Sequence, residues 1–126
     1  MSNPILIKTY TASGAVTPYR LMAIAANNAA AVASAVTSTI FGVSKIPANG
    51  SVAAGGPVDV ALAGVEEVVL GGAVTAGDPV TSDANGAAVA AAPAAGVNNR
   101  IGGFALDSGV AGDIVPMQIA PGQIQG

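Results

Sequence analysis

Residues 65–89 read Val-Glu-Glu-Val-Val-Leu-Gly-Gly-Ala-Val-Thr-Ala-Gly-Asp-Pro-Val-Thr-Ser-Asp-Ala-Asn-Gly-Ala-Ala-Val, and this stretch decides the fold class. Short apolar runs alternate with tight-turn residues, and no gap between turns is long enough for a helix. At residues 83–86, Asp-Ala-Asn-Gly, the asparagine and glycine tolerate positive φ, and the aspartate can accept a hydrogen bond from the backbone two residues on. An Asn-Gly between two β-capable runs is a strong hairpin signal. The stretch therefore predicts β-strands joined by tight turns.

The rest of the chain repeats this pattern, so we predict an all-β protein. The expected architecture is a small β-barrel or β-tulip-like domain with an extended N-terminal arm and little or no helix. Residues 1–11 are predicted to form the N-terminal arm and first strand, and residues 12–126 a single β domain. Within the first part, residues 1–4 read as a flexible arm and residues 5–11 as the strand.

The apolar runs and turn residues also place the later strands. Residues 25–35 are ambiguous, since their alanines favour a helix and Asn27-Asn28 favour a turn; a turn followed by an extended segment fits better. Gly42 is expected to mark a bulge, Gly64 a turn and Pro116 a sheet edge or bulge. Residues 120–126 read as a tail. Strands are predicted at residues 19–24, 38–44, 57–62, 65–70, 80–82, 87–89, 101–106 and 114–119.

One short phrase occurs twice. Residues 76–80 read Ala-Gly-Asp-Pro-Val, and residues 111–115 read Ala-Gly-Asp-Ile-Val. No fixed period accompanies the phrase elsewhere, so we interpret it as recurring loop chemistry in a barrel and not as a solenoid repeat.

The composition limits the class of protein. Hydrophobic residues make up 52% of the chain and charged residues 9%, with a mean hydropathy of +0.62. The longest charge-free stretch, residues 21–44, has the length of a membrane span but contains several Asn, Ser and Thr residues, and much of the remainder is alanine. We therefore expect no membrane partner. The four basic residues are scattered, and without a basic patch we expect no nucleic-acid partner.

The apolar residues are mainly small. Aromatic residues are 3% of the chain, and Trp is absent. Because burial energy follows apolar area, at roughly 25 cal/mol per Å², an interior built on Ala and Val gains less per residue than one built on Leu and Phe. We therefore expect other subunits to cover part of the apolar surface, as in a homo-oligomer or a larger assembly.

The sequence holds little reactive chemistry. It has no His and no Cys, which removes the commonest general base, the thiol nucleophile and the usual transition-metal ligands. Glu66 and Glu67 are neighbours on a predicted strand and point to opposite faces, so they do not converge as an acid/base pair. We expect one to face solvent and the other to lie at an edge or interface. The protein is accordingly predicted to be no enzyme and to need no cofactor and no metal.

The N-terminal segment has two interpretations. Its residues could add as a strand to the sheet edge of a partner, since main-chain hydrogen bonds alone can drive such docking. Equally, it could be an ordinary first strand with a frayed start. Under the first interpretation the contact residues would be Asn3, Pro4, Ile5, Leu6, Ile7 and Thr9.

Several of these phrases together resemble the capsid decoration, or cement, proteins of tailed bacteriophages. The resemblance lies in residues 71–86, the Ile-Gly-Gly-Phe-Ala-Leu of residues 101–106, the Ala-Gly-Asp-Ile-Val of residues 111–115 and the Ile-Phe-Gly-Val-Ser of residues 40–44. It implies a structural virion protein that binds the outer surface of the expanded capsid and stabilises contacts between major capsid protein subunits. It also implies a homotrimer, with a dimer as the alternative, made in the host bacterial cytoplasm. No catalytic residue comes with the family.

Other functions stay open from the sequence. A phage tail or baseplate component of similar β composition would be structural at another location. A carbohydrate-binding β module is disfavoured by the lack of Trp. A hydrolase that uses paired acids lacks the expected bases and ligands.

Overall fold

The computed structural model describes residues 2–47 and 49–126, and in this part of the chain it contains nine β-strands and no helix. The all-β prediction is therefore confirmed. No helix capable of crossing a membrane occurs among the described residues. The strands are β1 (Asn3–Ala12), β2 (Leu21–Ala26), β3 (Ala29–Val32), β4 (Ile40–Ser44), β5 (Pro57–Val69), β6 (Pro79–Ser82), β7 (Ala88–Ala90), β8 (Asn98–Ala105) and β9 (Ile114–Gln125).

Five strands close a small barrel. The hydrogen-bonded order is β1-β3-β2-β4-β5, and β5 pairs back with β1 to complete the ring. Gly42 makes the β4–β5 approach feasible, because a Cβ at this position would lie 2.6 Å from Val60 Cγ1. The Gly42 bulge is also confirmed: the register shifts there and leaves Phe41 without a partner on β2. The barrel interior is filled by Ala12, Val16, Met22, Ala30, Val58 and Val60.

β5 continues beyond the barrel into a second ring. Its C-terminal part pairs with β9, and the order β5-β9-β8-β6-β7 returns to the end of β5 through a bridge between Leu70 and Ala88. The predicted turn at Gly64 is wrong, since β5 runs through this residue. Gly64 has φ 96° and lets β1 approach, with Asn3 O 2.6 Å from where a Cβ would stand. A second core cluster, centred on Leu70, Val80, Val115 and Met117, lies inside this ring and extends to β2 and β4.

The C-terminal residues form a strand and not a tail. β9 extends to Gln125, which pairs with Asn98 at the start of β8. Local sequence could not show this, because Pro121 and Gly122 disfavour strand and only the long-range partner supplies the hydrogen bonds.

Pro116 also lies in an interior strand, contrary to the edge prediction. It is tolerated because β8 ends at Ala105, beyond which a single ladder bond, from Leu106 N to Pro116 O, is made.

The predicted turns are largely as expected. Asp83 Oδ1 accepts hydrogen bonds from Asn85 N at 2.8 Å and Ala87 N at 3.0 Å, which closes the β6–β7 hairpin. Residues 25–35 contain a turn at Asn27-Asn28 followed by β3, and Asn28 has φ 56°. Each observation confirms the turn that the polar residues predicted.

The folded chain buries its core without a partner. Its accessible surface is 5827 Å². A folded monomer of this mass exposes about 6,000 Å². Contacts with a partner would therefore form on particular exposed surfaces and would not be needed to cover the core.

Candidate assembly surface

The predicted contact residues all lie on β1. Asn3 and Pro4 belong to the strand, so the flexible arm predicted at residues 1–4 is wrong for these two; Met1 lies outside the described residues. Three consecutive apolar side chains are exposed: Ile5 by 83%, Leu6 by 53% and Ile7 by 43%. Consecutive solvent-exposed apolar residues are unusual on the surface of a monomeric protein.

Ile5 is exposed because it bulges out of the ladder. Pro4 is opposite Gly64 and Leu6 is opposite Ala63, which leaves Ile5 as an extra residue on β1. An extra residue in one strand interrupts the alternation of faces and redirects its side chain. The bulge presents the isoleucine to solvent instead of to the core.

Most of β1 has one free edge. Among the described residues, the strand pairs with β5 along nearly its whole length, whereas β3 pairs only with Thr11 and Ala12. Thr11 N donates to Asn28 O and Ala12 N donates to Gly56 O, on opposite sides of the strand. Alternation along an antiparallel strand then directs the backbone groups of Ile7 and Thr9 to the unpaired edge. This edge offers main-chain donors and acceptors.

Polar contacts fix the position of β1 on the barrel. Thr9 Oγ1 donates to Asp59 Oδ1 at 2.5 Å across the β1–β5 pair. Within β1 itself, the Lys8 ammonium lies 5.2 Å from the centre of the Tyr10 ring. Lys45 Nζ donates to Ser2 Oγ at 3.2 Å, just before the strand begins. β1 is therefore an integral barrel strand, and its exposed residues lie on a strand that is hydrogen-bonded to β5.

Glu66 is buried on β5, the strand that pairs with β1. Its side chain is 4% exposed, and Oε2 lies 3.1 Å from Lys45 Nζ, while Oε1 accepts a hydrogen bond from Glu67 N. The half-buried Glu67 follows it in the strand, and the two occupy opposite faces as predicted. The expectation that neither would be in the interior is wrong. The Lys45 ammonium supplies the partner that makes burial of a carboxylate tolerable.

A second exposed surface lies on the outside of β5, β9, β8 and β6. Residues directly opposite on antiparallel strands share a face. Because the intervening residues, such as Val68 and Met117, are buried, the alternate residues point outward. We call this surface the outer face, and it comprises Val65, Glu67, Val69, Pro79, Phe104, Leu106, Ile114, Pro116 and Gln118.

The outer face is largely apolar. Phe104 is 38% exposed, and Leu106 and Ile114 are each 44% exposed. This surface was not predicted, although the sequence carries a signal for it: residues 68–70 (Val-Val-Leu) and 114–117 (Ile-Val-Pro-Met) are apolar at both alternating positions, which is typical of strands covered on both sides.

A groove of about 390 Å³ lies at the barrel end between the Lys45–Ile46–Pro47 segment and the start of β5. Lys45 and Asp59 line it together with Val52 and Pro57.

Nowhere in the described ranges do three acidic side chains gather as they would around a metal ion.

Comparison with known proteins shows a likeness of fold. The sequence matches no protein-family model and no curated protein. The structure is similar to the crystal structure of the N base of head fiber gp8.5 in bacteriophage phi29, with a TM-score of 0.66 and 23% sequence identity. The match covers 96% of this chain and 98% of that chain. The two proteins therefore share one fold over nearly their whole lengths.

Proposed function

We propose that this protein is a structural component of a bacteriophage particle. It binds the exterior of the expanded head as an oligomer and stabilises contacts between major capsid protein subunits. The observation that carries this proposal is the likeness of the whole fold to the base of a phage head fiber. The resemblance of residues 40–44, 71–86, 101–106 and 111–115 to decoration proteins supports it from the sequence.

The mechanism requires no chemistry. A protein that binds only the expanded shell stabilises that state by mass action, because binding lowers its free energy relative to the unexpanded state. Repetition of the contact around a symmetric shell adds avidity to a modest individual affinity. No enzymatic activity is part of the proposal.

The contact residues proposed are those of β1. Asn3, Pro4, Ile5, Leu6, Ile7 and Thr9 lie on a strand that is paired with β5 and has exposed apolar side chains and a free edge. In this role they would contact either a capsid sheet or a neighbouring copy, since an exposed strand edge docks through main-chain hydrogen bonds.

Co-sedimentation with phage heads tests the proposal. The purified protein is mixed with expanded, DNA-free heads of the encoding phage and, separately, with unexpanded proheads. We expect saturable binding to the expanded heads and little to the proheads, together with greater resistance of the decorated heads to heating. Lack of binding to both would overturn the proposal. Labelling the C-terminus for electron microscopy of virions would show a tail or baseplate location if that alternative holds.

A further inference from the structure

We propose that the exposed part of β1, residues 5–8, docks on the outer face of a second copy of the chain. Each copy gives one surface and receives the other, which makes a closed oligomer. This inference rests on the proposed function, which includes self-association, and it adds which two surfaces meet.

The outer face requires a partner that brings a positive charge. Glu67 is its one charged residue and is half-buried between apolar neighbours such as Val65 and Val69. In the described part of the chain, Lys45 and Glu66 form the one ion pair, so Glu67 has no cationic partner of its own. A covering protein that left this carboxylate dehydrated and unpaired would lose binding energy.

Residues 5–8 supply that charge in an apolar setting. Lys8 is exposed and directly follows Ile5, Leu6 and Ile7, whose side chains are also exposed. Lys45 pairs with Glu66, and Arg20 donates to Thr17 Oγ1 and Asn85 O, whereas Lys8 and Arg100 have no acidic partner among the described residues. Of these two, Lys8 is the one that directly follows three exposed apolar side chains. Because side chains alternate along a strand, Leu6 and Lys8 share one face of β1, and this apolar and cationic pair complements an apolar face with one glutamate, which is the complementarity that selects a partner.

Direct pairing of two β1 edges is the less favourable arrangement. The bulge at Ile5 interrupts the ladder, and Lys8 places a charge on the edge strand. Bulges and edge lysines are features that oppose edge-to-edge pairing. They do not oppose contact of the side chains with a sheet face.

The two surfaces adjoin on the molecule. Asn3, at the start of β1, is opposite Val65, which belongs to the outer face. In a closed oligomer with unlike surfaces in contact, adjoining surfaces can both lie near the symmetry axis. The arrangement therefore suits a compact oligomer better than an open filament.

Charge exchange tests the contact. The oligomeric mass of the full chain is measured by light scattering over a concentration series for wild type, Lys8→Glu, Glu67→Lys and the double variant Lys8→Glu/Glu67→Lys. We expect wild type to exceed the 11.9 kDa of one copy. Each single variant should associate at least about tenfold more weakly, because like charges then meet, and the double variant should recover association. Arg100→Glu, which makes the same change of charge outside both surfaces, should leave the mass unchanged.

The outcomes separate this inference from the proposed function. A monomeric wild type, or a double variant no better than the single ones, overturns the inference. If wild type is monomeric and Lys8→Glu instead abolishes binding to expanded heads, residues 5–8 dock on the shell, so this inference fails while the proposed function stands. Oligomers that respond to charge exchange but ignore heads would support the inference and contradict the proposed function. Circular dichroism of each variant confirms that it is folded.

Discussion

Val74 and Gly109 exchange both of their backbone hydrogen bonds, each at 3.0 Å, and this pair marks a local twofold relationship inside the chain. The two halves of this relationship are residues 69–80 and residues 104–115, and adding 35 to a residue number in the first half gives its counterpart in the second. Gly77 N donates to Ala105 O, and its counterpart Gly112 N donates to Leu70 O.

The strand pairing follows the same relationship. β6 pairs with β8 through Pro79 and Phe104, and the counterparts Ile114 and Val69 join β9 to β5. The second strand of each half therefore pairs with the first strand of the other half: β6 pairs with β8, and β9 pairs with β5. These two interlocked segments form much of the second ring, and the repeated Ala-Gly-Asp phrase supplies their two turns.

The two turn glycines should respond equally to substitution. Gly77 has φ 96° and Gly112 has φ 91°, and a Cβ at either position would meet no atom within 4 Å. An alanine at either position is disfavoured only by the left-handed backbone conformation, because its Cβ meets no other atom. We therefore expect each variant to lower the free energy of unfolding by about 1–2 kcal/mol. Urea denaturation measures this. Gly14→Ala is the control, since it is equally open without positive φ and should be nearly neutral. A clear difference between the two turn variants would contradict the equivalence of the halves.

Gly42→Ala should damage the barrel. A Cβ at Gly42 would lie 2.6 Å from Val60 Cγ1 and closer still to the backbone of Ala61. Because the backbone cannot move aside easily, we expect a loss of about 1–3 kcal/mol or more in the free energy of unfolding. Thermal and urea denaturation provide the measurement. In Gly72→Ala the nearest atom is 3.7 Å away, and equal destabilisation of that control would show that sterics are not the cause.

Local chemistry in the sequence predicted the parts of the fold that depend on neighbouring residues. The Asp83 turn, the Asn27-Asn28 turn and the Gly42 bulge are short-range features with a direct physical cause. Gly64 was misjudged because a positive-φ glycine serves a turn or a bent strand equally well, and only the approach of β1 decides between them. The twofold relationship was hidden because few residues besides Ala-Gly-Asp recur, while backbone hydrogen bonds maintain it.

The candidate surface could be predicted only in part. Ile5, Leu6 and Ile7 were named as contact candidates from their place in the first strand, while their exposure and the bulge at Ile5 depend on the register between β1 and β5. The burial of Glu66 was not predicted, since it depends on an ion pair with Lys45, which directly follows β4. The alternation of apolar and polar residues within β5 carries no information about a partner from another part of the chain. The outer face likewise requires knowledge of which strands are neighbours.

The Lys45–Glu66 pair should show strong coupling. Lys45→Met removes the ammonium but leaves a buried carboxylate, and we expect it to lower the free energy of unfolding by about 1–3 kcal/mol, below the range for fully buried pairs because the lysine is 37% exposed. Lys45→Met/Glu66→Met removes both charges and should be less destabilised than Lys45→Met alone. A double-mutant cycle in urea measures the coupling. Additive effects of the two substitutions would show that the ion pair is not an energetic unit.

Asp83→Ala should weaken the β6–β7 hairpin. The carboxylate accepts hydrogen bonds from two backbone N–H groups, of Asn85 and Ala87, in a partly exposed turn. Their loss is expected to cost about 1–2 kcal/mol of unfolding free energy, with faster amide hydrogen exchange confined to the hairpin. Asp107→Ala is the matched control, because Asp107 is exposed and forms no side-chain hydrogen bond among those of the described residues. Uniformly faster exchange across the chain would contradict a local role.

Ile5→Asp should separate assembly from folding. Ile5 is 83% exposed on its bulge, so a charged side chain there displaces no core contact, and the urea midpoint should stay within the error of wild type. Association, whether with a second copy or with expanded heads, should fall at least about tenfold because the aspartate would have to lose its water on docking. Light scattering and co-sedimentation measure the two forms of association. Val110→Asp is the control, since Val110 is 61% exposed in the turn beside Gly109 and belongs to neither proposed surface. Undiminished association of Ile5→Asp, or an equal loss with Val110→Asp, would remove β1 from the assembly contact.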